Sequence, residues 1–181
     1  MELIMRKALP QEAQTVNDIL NNGKQLLAQA NIPQWCEEYP NIDIVNADIA
    51  AGNEYVATDK LTNTIVGALT LITTGETDYD TIKGEWLTQS HSSNPTYAVI
   101  HRCAIAQGSE RQGIMYKMFK AAEDIAREAG CISMRVDTHH KNMRMFALTK
   151  KLGYTDCGEI SIPPSQAKEA DLTREAFEKL L

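Results

Sequence analysis

Apolar residues recur with two different periods along this chain, and the switches between those periods outline its architecture. Glu2–Ala8 alternates as a strand does, and Pro10 then suits the first turn of a helix. Ala13, Val16, Ile19, Leu20, Leu26, Leu27 and Ala30 follow with helical spacing. Asn31–Pro40 breaks that pattern with prolines and aromatics. Asp43–Ala51 resumes it as a second helix, closed by Gly52. Strands are predicted over Glu54–Thr58 and Ile65–Thr73, joined by a turn around Asp59–Asn63. The polar stretch Thr74–Pro95 is long for a bare connection, so it should carry a function or a short extra element.

The most informative stretch runs from Tyr97 to Gly130. A β-type run, Tyr97–Ile105, passes through Gln107–Gly113 into an amphipathic helix. Its buried stripe is Met118, Phe119, Ala122, Ile125, Ala126 and Ala129, and Gly130 caps it. A strand opening through a glycine turn into a helix aims several unpaired N–H groups, and the positive end of the helix dipole, at one point. That is a site for a phosphate or pyrophosphate, here read as that of an acyl-coenzyme A, with Arg111 adding a full charge at its mouth. Beyond it, Cys131–Thr138 reads as a strand, Asn142–Leu152 as a helix ended by Gly153, and Tyr154–Ile162 as a further strand. Pro163–Pro164 interrupts the chain, and Asp171–Leu181 fits either a last helix or a last strand. This order indicates an α/β fold, a mixed sheet covered by helices, in one domain spanning residues 1–181.

Composition narrows the partners. At 181 residues, with 43% hydrophobic and 23% charged positions, the chain can bury a core without cross-links. A formal net charge of −6 opposes nucleic acid or an anionic membrane as the main partner. Its longest apolar run, Ile65–Ile72, is too short to span a bilayer, and Met1–Pro10 lacks a signal-peptide pattern. Cys36, Cys103, Cys131 and Cys157 form no CxxC pair. Two disulfides would use all four, but free thiols in a reducing cytoplasm are the better reading. No metal is expected, because His139 and His140 have no third ligand at a usual spacing.

The combination of HRCAI, a glycine turn, a long helix, MRVDTH, a helix beginning at Asn142, and KKLGYTDCG resembles the GNAT superfamily of acyl-CoA-dependent N-acetyltransferases. QWCEEYPN, GEWL and REAFEK extend the likeness over nearly the whole chain, closest to small bacterial members. The resemblance implies a single-domain, mostly antiparallel sheet splayed between its fourth and fifth strands, with acetyl-CoA as cosubstrate entering the gap. It implies that backbone groups of Cys103, Ala104 and Ile105 pair with the pantetheine arm. Arg111, Gln112, Gly113, Ile114, Met115 and Tyr116 would hold the pyrophosphate, and Asn142 would reach the arm from the far side. Many relatives dimerise, which leaves a homodimer open. Glu110 and Met115 depart from the turn's usual pattern, leaving either a shifted turn led by Arg111 or a weakened affinity. Thr149 stands where many relatives carry the tyrosine thought to protonate the leaving thiolate. The stretch Ser165–Asp171 looks longer than the family's usual final hairpin.

Strict alternation puts His101 on the strand face of Cys103, aimed at the acyl group, where a histidine suits base catalysis near neutral pH. A hydrogen-bonded, half-buried histidine is the other reading. Arg102 would face the opposite way as an ion-pair partner, and Cys103 reads as a buried thiol rather than a nucleophile. Trp35, Tyr39, Trp86 and His139 are candidates to wall an acceptor pocket, and Thr149 or Tyr154 to return a proton. The leading expectation is acetyl transfer from acetyl-CoA to a small-molecule or peptide primary amine, by direct attack in a ternary complex. A non-catalytic acyl-CoA-binding or sensing domain is the alternative, and a plain interaction module a third. The acidic charge favours a cationic small molecule such as a polyamine or amino sugar.

Overall fold

The computed structural model describes residues 2–166 and 171–181, so part of the Ser165–Asp171 stretch lies outside it. Eight strands form one sheet: β1 (Leu3–Lys7), β2 (Glu54–Asp59), β3 (Ile65–Ile72), β4 (Lys83–Gly84), β5 (Tyr97–Ile105), β6 (Ser133–Thr138), β7 (Thr155–Ser161) and β8 (Thr173–Leu180). Their spatial order is β1-β2-β3-β5-β6-β8-β7-β4. Four helices cover it: α1 (Ala13–Gln29), α2 (Ile42–Ala51), α3 (Ile114–Glu128) and α4 (Met143–Leu152). Two elements settle what the sequence left open. Of the two alternatives for Asp171–Leu181 the strand is the one formed, as β8, inserted between β6 and β7. The Thr74–Pro95 stretch carries a short extra element, the two-residue β4, so the predicted fourth and fifth strands are β5 and β6.

Gly52 ends α2 where the pattern placed it, and the start of α2 is set by an asparagine that the pattern had not singled out. Asn41 accepts from the Asp43 and Ile44 N–H groups to start α2, and Gly52 closes it in the left-handed region, φ 71°. On one face of the sheet, Met118, Phe119, Ala122 and Ala126 of α3 pack on Leu69, Leu71, Ala98, Ile100, Met134 and Val136. Gly67 permits that approach, because an added Cβ would stand 2.6 Å from Met118 Sδ. On the other face, Val16, Ile19 and Leu20 of α1 and Val45 of α2 cover Val56, Ala68 and Ala104. Tyr79, Tyr97, Val99, Ile160 and Ala176 form a smaller cluster.

Only β5 and β6 run parallel, and they register for just four residues, Tyr97↔Ser133 to Ile100↔Val136. Beyond Ile100 the strands part, while β6 stays paired with β8 as far as Thr138↔Glu175. The expected splay is therefore present.

A β-bulge sits where the splay begins. Across β3 the register jumps from Ala68↔Ala104 to Thr70↔His101, so Leu69 alone opposes Arg102 and Cys103. Arg102 takes a positive φ of 45°, which is strained for a side chain with a Cβ. Its guanidinium is clamped: Nε and Nη2 donate to the Asp48 carboxylate at 3.0 Å each, and Nη1 donates to the Tyr39 hydroxyl at 2.8 Å. The bulge overturns the strict alternation assumed from sequence. His101 lies edge-on to Tyr79, on the face of Tyr97 and Val99, whereas Cys103 packs with the main core of Ile100. The acid expected to pair with Arg102 is Asp48.

The clamp continues inward. Arg102 Nε reaches Thr70 Oγ1 at 3.2 Å, and that hydroxyl donates to Glu54 Oε2 at 2.7 Å. Burial drives the Glu54 carboxyl from its ordinary 4.5 up to about 8. In the folded protein it keeps its proton where the unfolded chain has lost it, so stability falls as pH rises from about 4.5 to about 8. The slope is about 1.4 kcal/mol per pH unit, or roughly 3 °C in a protein of this size. Glu54→Gln, which fixes the neutral form, should match the wild type in Tm at pH 5 and exceed it by several degrees at pH 8.5. Parallel Tm curves for the two proteins would refute the assignment.

Candidate active site

The gap between β5 and β6 opens into a cleft of about 940 Å³. Its geometry follows from backbone parity along β5. Ala106 N–H donates to the Val66 carbonyl of β3 at 2.9 Å, so Ile105 and Cys103 turn their N–H and C=O groups the other way, into the gap. β6 has already left, so an amide-bearing ligand can take the place of the missing strand. Asn22 of α1 donates to the Ile105 carbonyl at 3.1 Å and fixes that end of the strand.

At the cleft mouth stands the N-terminus of α3. Gly113, φ 70°, is its N-cap and supplies no side-chain cap. The first intrahelical bond runs from Lys117 N–H to the Gly113 carbonyl, 3.1 Å. The N–H groups of Ile114, Met115 and Tyr116 therefore have no helical partner and point outward. A Cβ on Gly113 would meet nothing within 4 Å, so the approach is open. Arg111, φ 61°, is exposed beside it. Met115 packs against the main core and also lines the cleft. Glu110 does line the mouth, but so do Arg111 and, from α4, Arg144 and Lys151. Those last two cations were not singled out in the sequence. These groups suit the pyrophosphate of an acyl-coenzyme A: uncapped donors, a positive dipole end and three cations. Gln112 is exposed and does not line the cleft.

The inner end is built around His101, which lines the cleft with Trp35, Tyr39 and Asp137. Its Nε2 lies 3.4 Å from Glu76 Oε2 and its Nδ1 3.8 Å from Asp137 Oδ1, close approaches rather than well-aligned hydrogen bonds. Burial alone would raise the Glu76 carboxyl, but His101 and then Arg102 outweigh it and hold its pKa below the ordinary value. Tyr79, fully buried, donates to Asp137 Oδ1 at 2.6 Å. Burial, then Asp137, holds the Tyr79 phenol well above its usual range, so it stays a donor. Burial pushes the Cys103 thiol up to about 12, which removes it as a nucleophile.

Four of the singled-out side chains lie away from the cleft lining. Thr149 is buried and its hydroxyl donates to the Phe146 carbonyl at 3.1 Å. The phase of α4 explains this: Met145, Leu148 and Lys151 face the cleft, which turns Thr149 and Leu152 inward. Tyr154 packs edge-on to Phe119, and burial followed by Glu123 holds its phenol well above the usual range. Trp86 stacks on Tyr79 and under the Arg135 guanidinium, itself paired to Glu178 at 3.0 Å, so it fastens a loop to the core. His139 is fully buried and accepts from Lys141 N–H through Nδ1. Asn142 does line the cleft, but its carboxamide is already engaged, capping α4 at Met145 N–H and donating to Gln34 Oε1 at 2.8 Å.

His139, His140 and Asp171 come together with ligand atoms within 4.8 Å, a grouping invisible to sequence spacing. His139 Nδ1 accepts a backbone N–H, and its buried Nε2 lies 3.2 Å from Asp171 Oδ2 without forming a hydrogen bond to it. Glu76, Tyr79, Asp137 and Arg174 were all missed at the inner end. The long Thr74–Pro95 connection was the only local hint of the first two.

Comparison with known proteins agrees with this geometry. The acetyltransferase (GNAT) family model matches residues 21–154. A GNAT family acetyltransferase structure from Streptococcus agalactiae 2603 is 26% identical, with a TM-score of 0.83 over 99% of this chain and 95% of that one. The fold is shared by yncA from Salmonella typhimurium, solved with its cofactor acetyl-CoA: 16% identity, TM-score 0.68, 100% and 95% of the two chains. It is shared too by a phosphinothricin acetyltransferase from Sinorhizobium meliloti in complex with acetyl-CoA: 14% identity, TM-score 0.69, 100% and 89%. No curated protein matches the sequence. Among the described residues no helix is long and apolar enough to cross a membrane. A family model matching most of the chain leaves one conclusion: this protein belongs to the GNAT family of acetyltransferases.

Proposed function

We propose that this enzyme moves an acetyl group from acetyl-CoA to a primary amine, by direct attack within a ternary complex. The observation that carries the reading is the continuity of two features: the open edge of β5 at Cys103 and Ile105 runs directly toward the uncapped N-terminus of α3. One offers ladder groups to an amide-bearing arm and the other offers donors to a pyrophosphate. Acetyl-CoA, when bound there, supplies an acetyl group activated as a thioester.

The protein's own contribution falls to the inner end. His101 takes the proton that the amine must lose, with Glu76 and Asp137 orienting its ring and stabilising the imidazolium that forms. Tyr79 fixes Asp137, and Arg102 fixes Tyr39. Trp35 and Tyr39 wall the acceptor side and exclude water. Thr149 and Tyr154 play no part as acids in this reading, since neither hydroxyl faces the cleft. The proton taken by His101 passes to solvent or to the departing thiolate, so no second protein acid is needed for the atoms to balance.

Two outcomes follow. Coenzyme A and acetyl-CoA should bind the wild type with micromolar Kd by calorimetry, and the Arg111→Glu, Gly113→Trp double variant should lose at least tenfold. Absence of binding to the wild type would end the enzyme reading. His101→Gln should lower kcat for amine-dependent coenzyme A release by about a hundredfold, at the low end for loss of a general base, with coenzyme affinity intact. Unchanged turnover in that variant would return His101 to a structural role. Binding without turnover on any amine would favour a sensing domain.

A further inference from the structure

Among the described residues Arg135 and Arg174 are fully buried and Arg102 is largely so, and the three are not equivalent. Arg102 meets Asp48 at 2.9 Å and Arg135 meets Glu178 at 3.0 Å. Arg174, only 1% exposed, has no carboxylate within 4 Å among the described residues. Its partners are three backbone carbonyls: Nη1 donates to Asp171 at 3.1 Å and to Thr173 at 2.8 Å, and Nη2 donates to Gln34 at 3.1 Å. The nearest acid in sequence does not serve it, because the Asp171 carboxylate turns instead to His139 and His140, at 3.2 and 3.7 Å. A guanidinium carries five N–H donors, so three bonds leave donors over. Among the described residues Nε has no hydrogen-bond partner and is not a fully buried orphan, and Arg174 lines the cleft.

Holding a full charge out of water without a counterion is costly, and it persists where the fold forces it or a ligand supplies the missing charge. Here the fold makes a seat. Gln34 is pinned through Oε1 by Thr138 Oγ1 at 3.0 Å and Asn142 Nδ2 at 2.8 Å, so the carbonyl that orients Arg174 is itself fixed. Asp137 joins this seat to the base. Its carboxylate stands 3.8 Å from His101 Nδ1, and its charge also acts on Arg174. A cation with spare fork donors and a carboxylate beside a base thus lie at one end of one cleft. They complement a molecule bearing both an anionic carboxylate and an amine.

We propose that the acceptor is a small amino acid, held by its carboxylate on Arg174 while its amine is delivered to His101 beside Asp137. The inference rests on the acetyltransferase reading and narrows its substrate class. It displaces the polyamine or amino sugar that net charge alone would favour: a polycation has nothing to offer Arg174, and overall charge does not report on one buried subsite.

The test uses the full chain saturated with coenzyme A or acetyl-CoA. The common L-amino acids, β-alanine and γ-aminobutyrate are each compared with their carboxamides, alongside putrescine, spermidine and glucosamine. Two readouts run in parallel: the Tm shift at 10 mM ligand with coenzyme A, and coenzyme A release with acetyl-CoA. At least one free acid should raise Tm and be acetylated with kcat/KM at least tenfold above its amide. Arg174→Gln should shrink that ratio to within twofold, chiefly by raising KM, and Arg174→Lys should keep part of it. Coenzyme A affinity, measured on both variants, controls for folding. If amides, polyamines or the amino sugar are preferred, or if no free acid shifts Tm, the inference fails while the acetyltransferase reading stands on coenzyme binding and turnover. A variant that lowers kcat equally for acids and amides would make Arg174 a structural clamp and overturn the inference too. Should coenzyme A itself not bind, it is the parent reading that has failed.

Discussion

The arrangement of this site depends on one buried ion pair, Arg102 with Asp48. A residue with a Cβ pays roughly 1–2 kcal/mol to sit at positive φ, and Arg102 does so in the middle of a central strand. A two-point carboxylate contact, the Tyr39 hydroxyl and Thr70 hold it there. The bulge it creates shifts everything beyond His101 by one position. His101 keeps the face of Tyr97 and Val99, while the Cys103 and Ile105 backbone groups are turned into the gap that β6 vacates. Because Asp48 lies on α2 and Tyr39 on the loop before it, the same contact that shapes the strand also seats the acceptor wall.

Polarity is sorted along the cleft. Its mouth gathers Arg111, Arg144, Lys151 and the positive end of α3, whereas its inner end gathers His101, Glu76 and Asp137 around the buried phenol of Tyr79. An acidic protein with net charge −6 thereby keeps a cationic entrance and a carboxylate-lined inner end, the polarity that the proposed transfer from an anionic cosubstrate to an amine calls for. Arg174 is the exception at that inner end, and its lack of a carboxylate partner among the described residues gives the end its second character.

Local features of the chain were legible. The strand, glycine turn and helix from Tyr97 to Gly130 rest on contacts a few residues apart, and Gly52, Asn142 and Gly153 mark helix ends by short-range chemistry. What depended on long-range contacts was hidden. Nothing in Tyr97–Ile105 announces a bulge, because its cause is Asp48, more than fifty positions away. Glu76 and Tyr79 meet His101 only once the Thr74–Pro95 connection folds back over the sheet, and Asp137 comes to it from the neighbouring strand β6. Thr149 is a different lesson: the phase of α4, with Leu148 and Lys151 outward to the cleft and Leu152 inward, was available in the sequence and predicts its burial.

The most direct test of this account is residue-resolved amide hydrogen exchange with and without saturating acetyl-CoA. If the cosubstrate completes the sheet and lies on the helix terminus, exchange should slow together at Cys103, Ile105 and Ile114–Tyr116. It should change little on β1 and β2, which are far from the gap in strand order. Binding that leaves those five amides as fast as before, or protects β1 instead, would contradict the claim that the open edge of β5 is the binding surface.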